Sequence, residues 1–429
     1  MPERYDVLVL GGGAAGCAVA ARLAERDASV GLVEAGPDYG PYAEGRWPAE
    51  MLEARTLPMT HLWEQAAEDR SSSRARIIGG CSAHNAAMIV RGEPRDYDEW
   101  GHGWTYETIA PYLDRAEEQL GVREEITAHP APWHRAALEA AATLGIAGGA
   151  LRANVRGDVR WNAAFAYLDP VRDRVEIHAD TLVDRLDPPH VRTDRGVLEA
   201  ETIVLAAGAY GTPPILLRSG LGNELPVGEG LTDHVGIGMG WAPTDELLRD
   251  TAAHEAEHGP LHEAYSLLAP PDLHLGPWTN RTEDGGYDVS MIVFFLKPRS
   301  NGRVALASDD PREPPLVDHG FLADERDLEP VLEGVELARR LARAEPLARY
   351  AKEELRPGTD DVAGYVRENV RGYFHPVGTC ALGAVCDGRG RVLGHESLVV
   401  ADASFIPSIP RANTHLTALA VAERIAETL

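Results

Sequence analysis

Residues 11–16 read GGGAAG, which fits G-x-G-x-x-G, the spacing that brings a backbone turn against a pyrophosphate. Gly11 permits the tight turn, Gly13 the close backbone approach, and Gly16 tight packing of helix on strand. Ala14 and Ala15 open a helix whose first N–H groups point at phosphate charge. Glu34 lies 23 residues beyond Gly11, where a carboxylate can accept hydrogen bonds from ribose hydroxyls. A second stretch with chemical potential, residues 374–380, reads FHPVGTC. His375 in it suits proton removal near neutral pH, and Pro376 and Gly378 argue for a fixed turn around it. The chain holds 16 histidines, and most must be loop or core residues, so residue type alone does not single out His375.

The elements that must position these residues follow from periodicity. Residues 5–10 (YDVLVL) are a short apolar run suited to a buried parallel strand. Residues 17–25 (CAVAARLAE) have helical apolar spacing, and residues 29–34 (SVGLVE) form a second strand. Together they make a βαβ unit with a right-handed crossover. Residues 201–222 (ETIVLAAGAYGTPPILLRSGLG) begin as a buried strand, turn at Ala207 and Gly208, and continue past Pro213 as a helix. Residues 397–402 (SLVVAD) are a short strand ending on Asp402, and residues 416–429 (LTALAVAERIAETL) an amphipathic helix. Cofactor-binding elements thus recur at the start, middle and end of the chain. Residues 236–372 differ: they are rich in His, Pro and acidic residues and contain a strand pattern, VSMIVFFLK, at 289–297.

A chain of 429 residues with 44% hydrophobic content can bury two interlocked domains. The formal charge of −26 repels nucleic acid and anionic membrane surfaces, so neither is expected as a partner. Cys17, Cys81, Cys380 and Cys386 have no zinc-type spacing, so no metal site is expected, and free thiols in the cytoplasm are. No apolar run reaches the roughly 18 residues of a membrane span. The first apolar run breaks into glycines rather than a cleavage site, which marks a strand and not a signal peptide. The oligomeric state stays open.

Further motifs, in this order, resemble the glucose-methanol-choline (GMC) oxidoreductase family: EAG at 34–36, IIGGCSAHNAAMIVR at 77–91, DYDEW at 96–100, residues 208–222, GLTDH at 230–234, FHPVGTC at 374–380 and VVADASFIP at 399–407 before the last helix. The likeness spans nearly the whole chain. It implies an α/β fold with a discontinuous, Rossmann-like FAD-binding domain (residues 1–155, 176–235 and 373–429). An α+β substrate domain with an antiparallel sheet (156–175 and 236–372) is inserted in it. The glycine turn does not itself separate FAD from NAD. The spread of cofactor elements to the C-terminus favours FAD, because a nicotinamide domain would be contiguous. The chain is shorter than most members, mainly in the substrate-side segment, which leaves the alcohol open.

The resemblance implies oxidation of an alcohol to a carbonyl compound by hydride transfer to the flavin, with His375 as base. O2 or a quinone-type acceptor would take the electrons. Two residues, Asn413 and His415, compete to hold the substrate oxygen. Counting back from Glu427, Asn413 takes the family's position, and His415 points elsewhere because residues two apart do not share a helix face. The resemblance also implies flavin-side contacts at Ala35, Gly80, Ser82, His84, Asn85, Ala86, Ala207, Gly208, Asp402, Ala403, Asn413 and Thr414, with hydrogen bonds to the ring from Ser82 and Asn85. Asp402 would face the ribityl–pyrophosphate region, and Val183 would reach the adenine through its backbone. His84 matches a loop of choline-oxidising members and leaves open a covalent histidyl link. Two alternatives are a non-redox, hydroxynitrile-lyase-like enzyme that keeps FAD and a non-catalytic electron relay. Trp278, Tyr287, Phe294 and Phe295 are the aromatics that a trimethylammonium substrate would need, if they converge.

Overall fold

The computed structural model describes residues 4–63, 73–124 and 126–429. Its first sheet is built on four strands in the order Val175–His178, Val30–Val33, Arg4–Leu10, Gly196–Leu205, each parallel to its neighbour. Leu398–Val400 adds in parallel to the C-terminal half of the last of these. A hairpin of Val183–Asp187 and His190–Thr193 pairs antiparallel with its N-terminal half. Leu8, Val9, Leu10, Ile203, Val204 and Val399 are fully buried, as continuous apolar runs must be in a sheet covered on both faces. Because these five strands run in parallel, their carboxyl ends, among them Leu10, Leu205 and Val400, open on one edge. That is where open α/β sheets bind ligands.

Helix Ala14–Ala24 crosses this sheet and packs on the last helix, Thr414–Glu427, and both bury small residues such as Ala18, Ala20 and Ala422. The pair is locked by a buried Glu423, which accepts two hydrogen bonds from the Arg22 guanidinium at 2.8 and 2.7 Å. A bidentate pair of this kind sets helix register as well as adding energy. The start and end of the chain are thereby fastened together.

The second sheet is antiparallel. Val235–Pro243, Tyr287–Phe295 and Leu273–Arg281 form its centre, and helix Leu328–Ala342 covers one face with Val331, Val335, Ala338 and Leu341. Both domains expected from sequence are present, but two segments pack on the opposite core from that expected. Helix Pro132–Thr143, within 1–155, buries Trp133, Ala136, Ala137 and Ala140 on the second sheet, and Gly148–Ala150 pairs with Ser266–Leu268. Residues 163–168, within 156–175, bury their side chains in the first core. An alanine-rich apolar stripe states that a face is buried but carries no record of which sheet covers it.

Among the described residues, no helix is long and apolar enough to cross a membrane.

Candidate active site

The glycine turn is shaped by close contact. Gly11 has φ +106°, and a Cβ there would lie 2.6 Å from the Ala206 carbonyl oxygen. A Cβ on Gly16 would fall 1.9 Å from the Gly11 carbonyl oxygen, so the helix can approach its strand only with glycine there. Gly12, a variable position of the motif, is also constrained: its N–H donates to Glu34 Oε2 at 2.8 Å and a Cβ would strike Ile78 at 2.6 Å. Gly13 faces the other way, and a Cβ there would meet only the Ala206 oxygen at 3.9 Å. Ala14 and Ala15 begin the helix. Glu34 is buried, and its second oxygen accepts from Gly36 N–H at 2.8 Å. Burial pushes its carboxyl up to about 7, against these bonds.

The other strand ends meet at the same edge. Gly208, at φ +80°, has open space on its Cβ side. Asp402 does not extend its carboxylate freely. It accepts from Gly208 N–H (2.7 Å), Thr212 Oγ1 (2.6 Å) and Ser404 N–H (2.7 Å), and so ties Ala207–Gly208 to Ala403. Val183 is buried at the start of its strand. Beside it, Asp180 and Thr181 N–H groups donate to the Gly36 and Glu34 carbonyls. An open cradle of backbone at the carboxyl edge, with Gly13 and Gly208 bare toward it, fits a dinucleotide such as FAD.

The loop after residue 76 docks on the glycine turn. Gly79 N–H donates to the Gly12 carbonyl at 2.7 Å, and a Cβ on Gly80 would lie 2.6 Å from Gly13 Cα. The side chains expected beside the ring, Ser82 and Asn85, also make contacts within the protein. Ser82 Oγ is buried, donating to Gly79 O at 2.6 Å and accepting from Ala163 N–H at 3.0 Å. Asn85 spends its amide on Ala87 N–H (2.9 Å) and His415 Nδ1 (3.4 Å). Both side chains brace the loop, because a tight turn must satisfy its own backbone first. His84 ends the turn Gly80–Ala83, and its Nε2 is buried without a partner. Ala86 lines a small cleft with Ala54, Thr56, Glu263 and Trp278.

Sequence reasoning missed Arg160. Its guanidinium is fully buried and donates to the carbonyls of Asn85 (2.6 Å), Met51 (3.0 Å), Ala83 (3.3 Å) and Thr56 (2.6 Å). A charge spread over four carbonyls clamps the loop that carries His84. Burial lowers the Arg160 pKa to about 10. No local pattern around residue 160 announces this role.

His375 and Asn413 meet: Asn413 Nδ2 lies 3.0 Å from His375 Nε2. His415 is directed to Asn85 instead, as expected from helix geometry. The GLTDH turn, expected only as a flavin-side turn, supplies two more partners. Asp233 accepts from the His375 backbone N–H at 3.1 Å, and His234 Nδ1 lies 3.0 Å from His375 Nδ1. The adjacent Asp-His pair was the available signal. The segments pair at Thr232–Val377 and Val235–Gly372. Two residues on one side then face four on the other, and this bulge turns His375 toward Asn413. Phe374, in the bulge, has φ +65°, strained for an aromatic residue.

Tyr373 stacks on Phe294 with centroids 4.1 Å apart and lies 4.5 Å from the His375 ring. Its hydroxyl is buried and unpartnered. Tyr287 binds Glu255 and Trp278 binds Asn280, each away from this stack. Burial first, then His234 and His274, hold the His375 pKa well below the usual histidine range. Burial lowers His234 to about 3 and raises Asp233 to about 7. Asp233, His234 and His375 bring ligand-type atoms within 4.8 Å, a spacing that could hold a cation. The ring–ring hydrogen bond already uses two of those atoms.

The N-terminal sequence pattern of the GMC oxidoreductase family matches residues 5–193 and 187–236, and its C-terminal pattern matches residues 298–422. The chain belongs to the GMC oxidoreductase family. It is 30% identical to choline oxidase of Arthrobacter globiformis, over 99% of this chain and 94% of that one. It is also 30% identical to 5-(hydroxymethyl)furfural oxidase of Methylovorus sp. (strain MP688), over 99% and 98%. The fold is shared with pyridoxine 4-oxidase from Mesorbium loti (TM-score 0.82, 23% identity, 99% of this chain and 98% of that one). It is shared too with formate oxidase (TM-score 0.86, 20% identity, 99% and 98%). The protein is an FAD-dependent oxidoreductase acting on alcohols.

Proposed function

We propose that this protein oxidises an alcohol to a carbonyl compound with His375 Nε2 taking the hydroxyl proton. The observation that carries this is the buried His375–Asn413 contact at 3.0 Å. An alcohol keeps its hydride while it keeps its O–H proton, so a positioned base lowers the barrier. In the substrate complex the alcohol oxygen would lie between the two side chains, accepting from Asn413 Nδ2 and donating to His375 Nε2. Bound FAD supplies the two-electron acceptor for the carbinol hydride. Reoxidation of bound FAD would need O2 or a quinone-type acceptor.

Burial keeps His375 unprotonated at neutral pH, hence ready to accept. Once it does, Asp233, itself raised to about 7 by burial, offsets the buried imidazolium in its ionised form. Gly11, Gly13, Ala14, Ala15 and Gly16 would hold the pyrophosphate, with Glu34, Ala35 and Val183 toward the adenosine. Gly80, Ser82, His84, Asn85 and Ala86 would lie against the ring, and Ala207, Gly208, Asp402, Ala403 and Thr414 along the remaining edge. The unpartnered His84 Nε2 is the atom for any covalent link, detected by flavin that stays with acid-precipitated chain.

Anaerobic mixing with a panel of alcohols tests the proposal. His375→Ala should keep FAD and lose about 10²–10⁴-fold in flavin reduction rate. Reduction at the wild-type rate removes His375 as base.

A further inference from the structure

We infer that His234 is a positioning residue that selects the tautomer in which His375 can act as a base. The inference rests on the role of His375 proposed above and concerns a residue that never touches the substrate in that scheme.

The argument is one of donors and acceptors. His234 Nε2 lies 2.9 Å from the Pro410 carbonyl oxygen. A carbonyl only accepts, so His234 Nε2 carries the hydrogen. His234 is fully buried, which with His274 and Lys297 nearby keeps it neutral, and a neutral imidazole has one N–H. Its Nδ1 therefore presents a lone pair. His375 Nδ1 sits 3.0 Å from that lone pair and must donate to it. His375 Nε2 is left with its own lone pair, turned toward Asn413.

Asn413 could not make this choice alone. An amide can rotate to present either Nδ2 or Oδ1, so it would match either tautomer of His375. The Pro410 carbonyl cannot rotate its oxygen into a donor. The tautomer is thus set at a peptide group two rings away and transmitted through His234. The reverse tautomer would put a hydrogen on Nε2, where the alcohol proton has to go. Asp233, the preceding residue, fixes the His375 backbone, so adjacent residues of one turn hold the main chain and the ring.

The test uses holoenzyme labelled with 15N-histidine, with His375 signals identified by their loss in His375→Gln. Wild type should show His375 Nδ1 as the protonated nitrogen and Nε2 as the bare one. A protonated Nε2 in wild type overturns the inference. His234→Asn places an amide oxygen near the position of Nδ1 and should preserve the pattern. His234→Gln reaches toward Pro410 but offers no acceptor at that position, and His234→Leu offers neither. In both, protonation should shift toward Nε2, and the anaerobic reduction rate should fall about 10- to 100-fold with FAD content unchanged. If His234→Leu or His234→Gln keeps the wild-type nitrogen pattern, His234 has no positioning role. The Asn–Gln contrast stands even where the leucine variant does not fold. The nitrogen pattern is independent of turnover, so a wild-type rate in His375→Ala would sink the base assignment without touching the tautomer result.

Discussion

The cofactor edge and the catalytic end of this molecule are built on different principles. At the cofactor edge, residues 11–16 and Glu34 come from one βαβ unit, and Gly11, Gly12 and Gly16 are each required by a close neighbour. At the catalytic end, His375, Asp233–His234 and the stretch from Pro410 to Asn413 come from three separate segments, and how they join is not legible from the flanking sequence of any one of them. The first region is made by local packing, which tolerates little change but needs little assembly. The second is a chain of directional hydrogen bonds, exact in polarity and dependent on the whole fold. Damage should therefore read out differently: loss of structure at one end, loss of rate at the other.

The largest effect is expected from Gly16→Ala. Its Cβ would lie 1.9 Å from the Gly11 carbonyl oxygen, and forcing the backbone apart should cost about 1–3 kcal/mol or more. The variant should purify with depleted FAD and a lowered Tm. Full FAD content at the wild-type Tm would break the contrast.

Asn413→Ala should show the opposite signature. FAD stays bound and the fold holds, while the anaerobic reduction rate falls about 10- to 100-fold, the scale of losing one positioned donor. Loss of FAD here would mean that the two regions are one.

Phe374→Gly sharpens the comparison from the structural side. Glycine takes φ +65° at little cost, so the melting temperature should rise by the equivalent of about 1 kcal/mol. The rate should change little, since Asp233 and His234 hold His375 independently. A lower Tm would show that the aromatic ring, half exposed as it is, contributes more than its backbone costs.

The smallest change is expected with pH. A lowered histidine pKa leaves the base form populated at acidities where an ordinary histidine is protonated. The reduction rate should stay level as pH falls from about 8 through about 6.5 and decline only further down. A drop centred near 6.5 would mean that His375 is solvated like a surface histidine.

Much of the first domain was legible in the sequence. Residues 5–10, 17–25, 29–34 and 397–402 were expected as the strands and helix that form there, because both their period and their apolar content are local properties. The helix after Ala207 was also recovered, although Pro213 and Pro214 lie inside it. The helix at 132–143 was placed with the wrong sheet because its alanine stripe fits either. Ser82 and Asn85 were expected beside the cofactor, and what the sequence did not show is that their polar atoms also close the loop. Arg160 and His234 escaped notice as participants for the same reason: what matters is a carbonyl contributed from far along the chain.

The order of residues alone determined a glycine turn with dinucleotide-binding spacing, and the family motifs that nominate His375 and Asn413. Short-range sterics and hydrophobic period act within a few residues, so they survive being read in one dimension. Only the tertiary structure decided which nitrogen of His375 bears the hydrogen. That choice passes from Pro410 through His234, and the direction of a hydrogen bond between distant segments exists only once they are brought together.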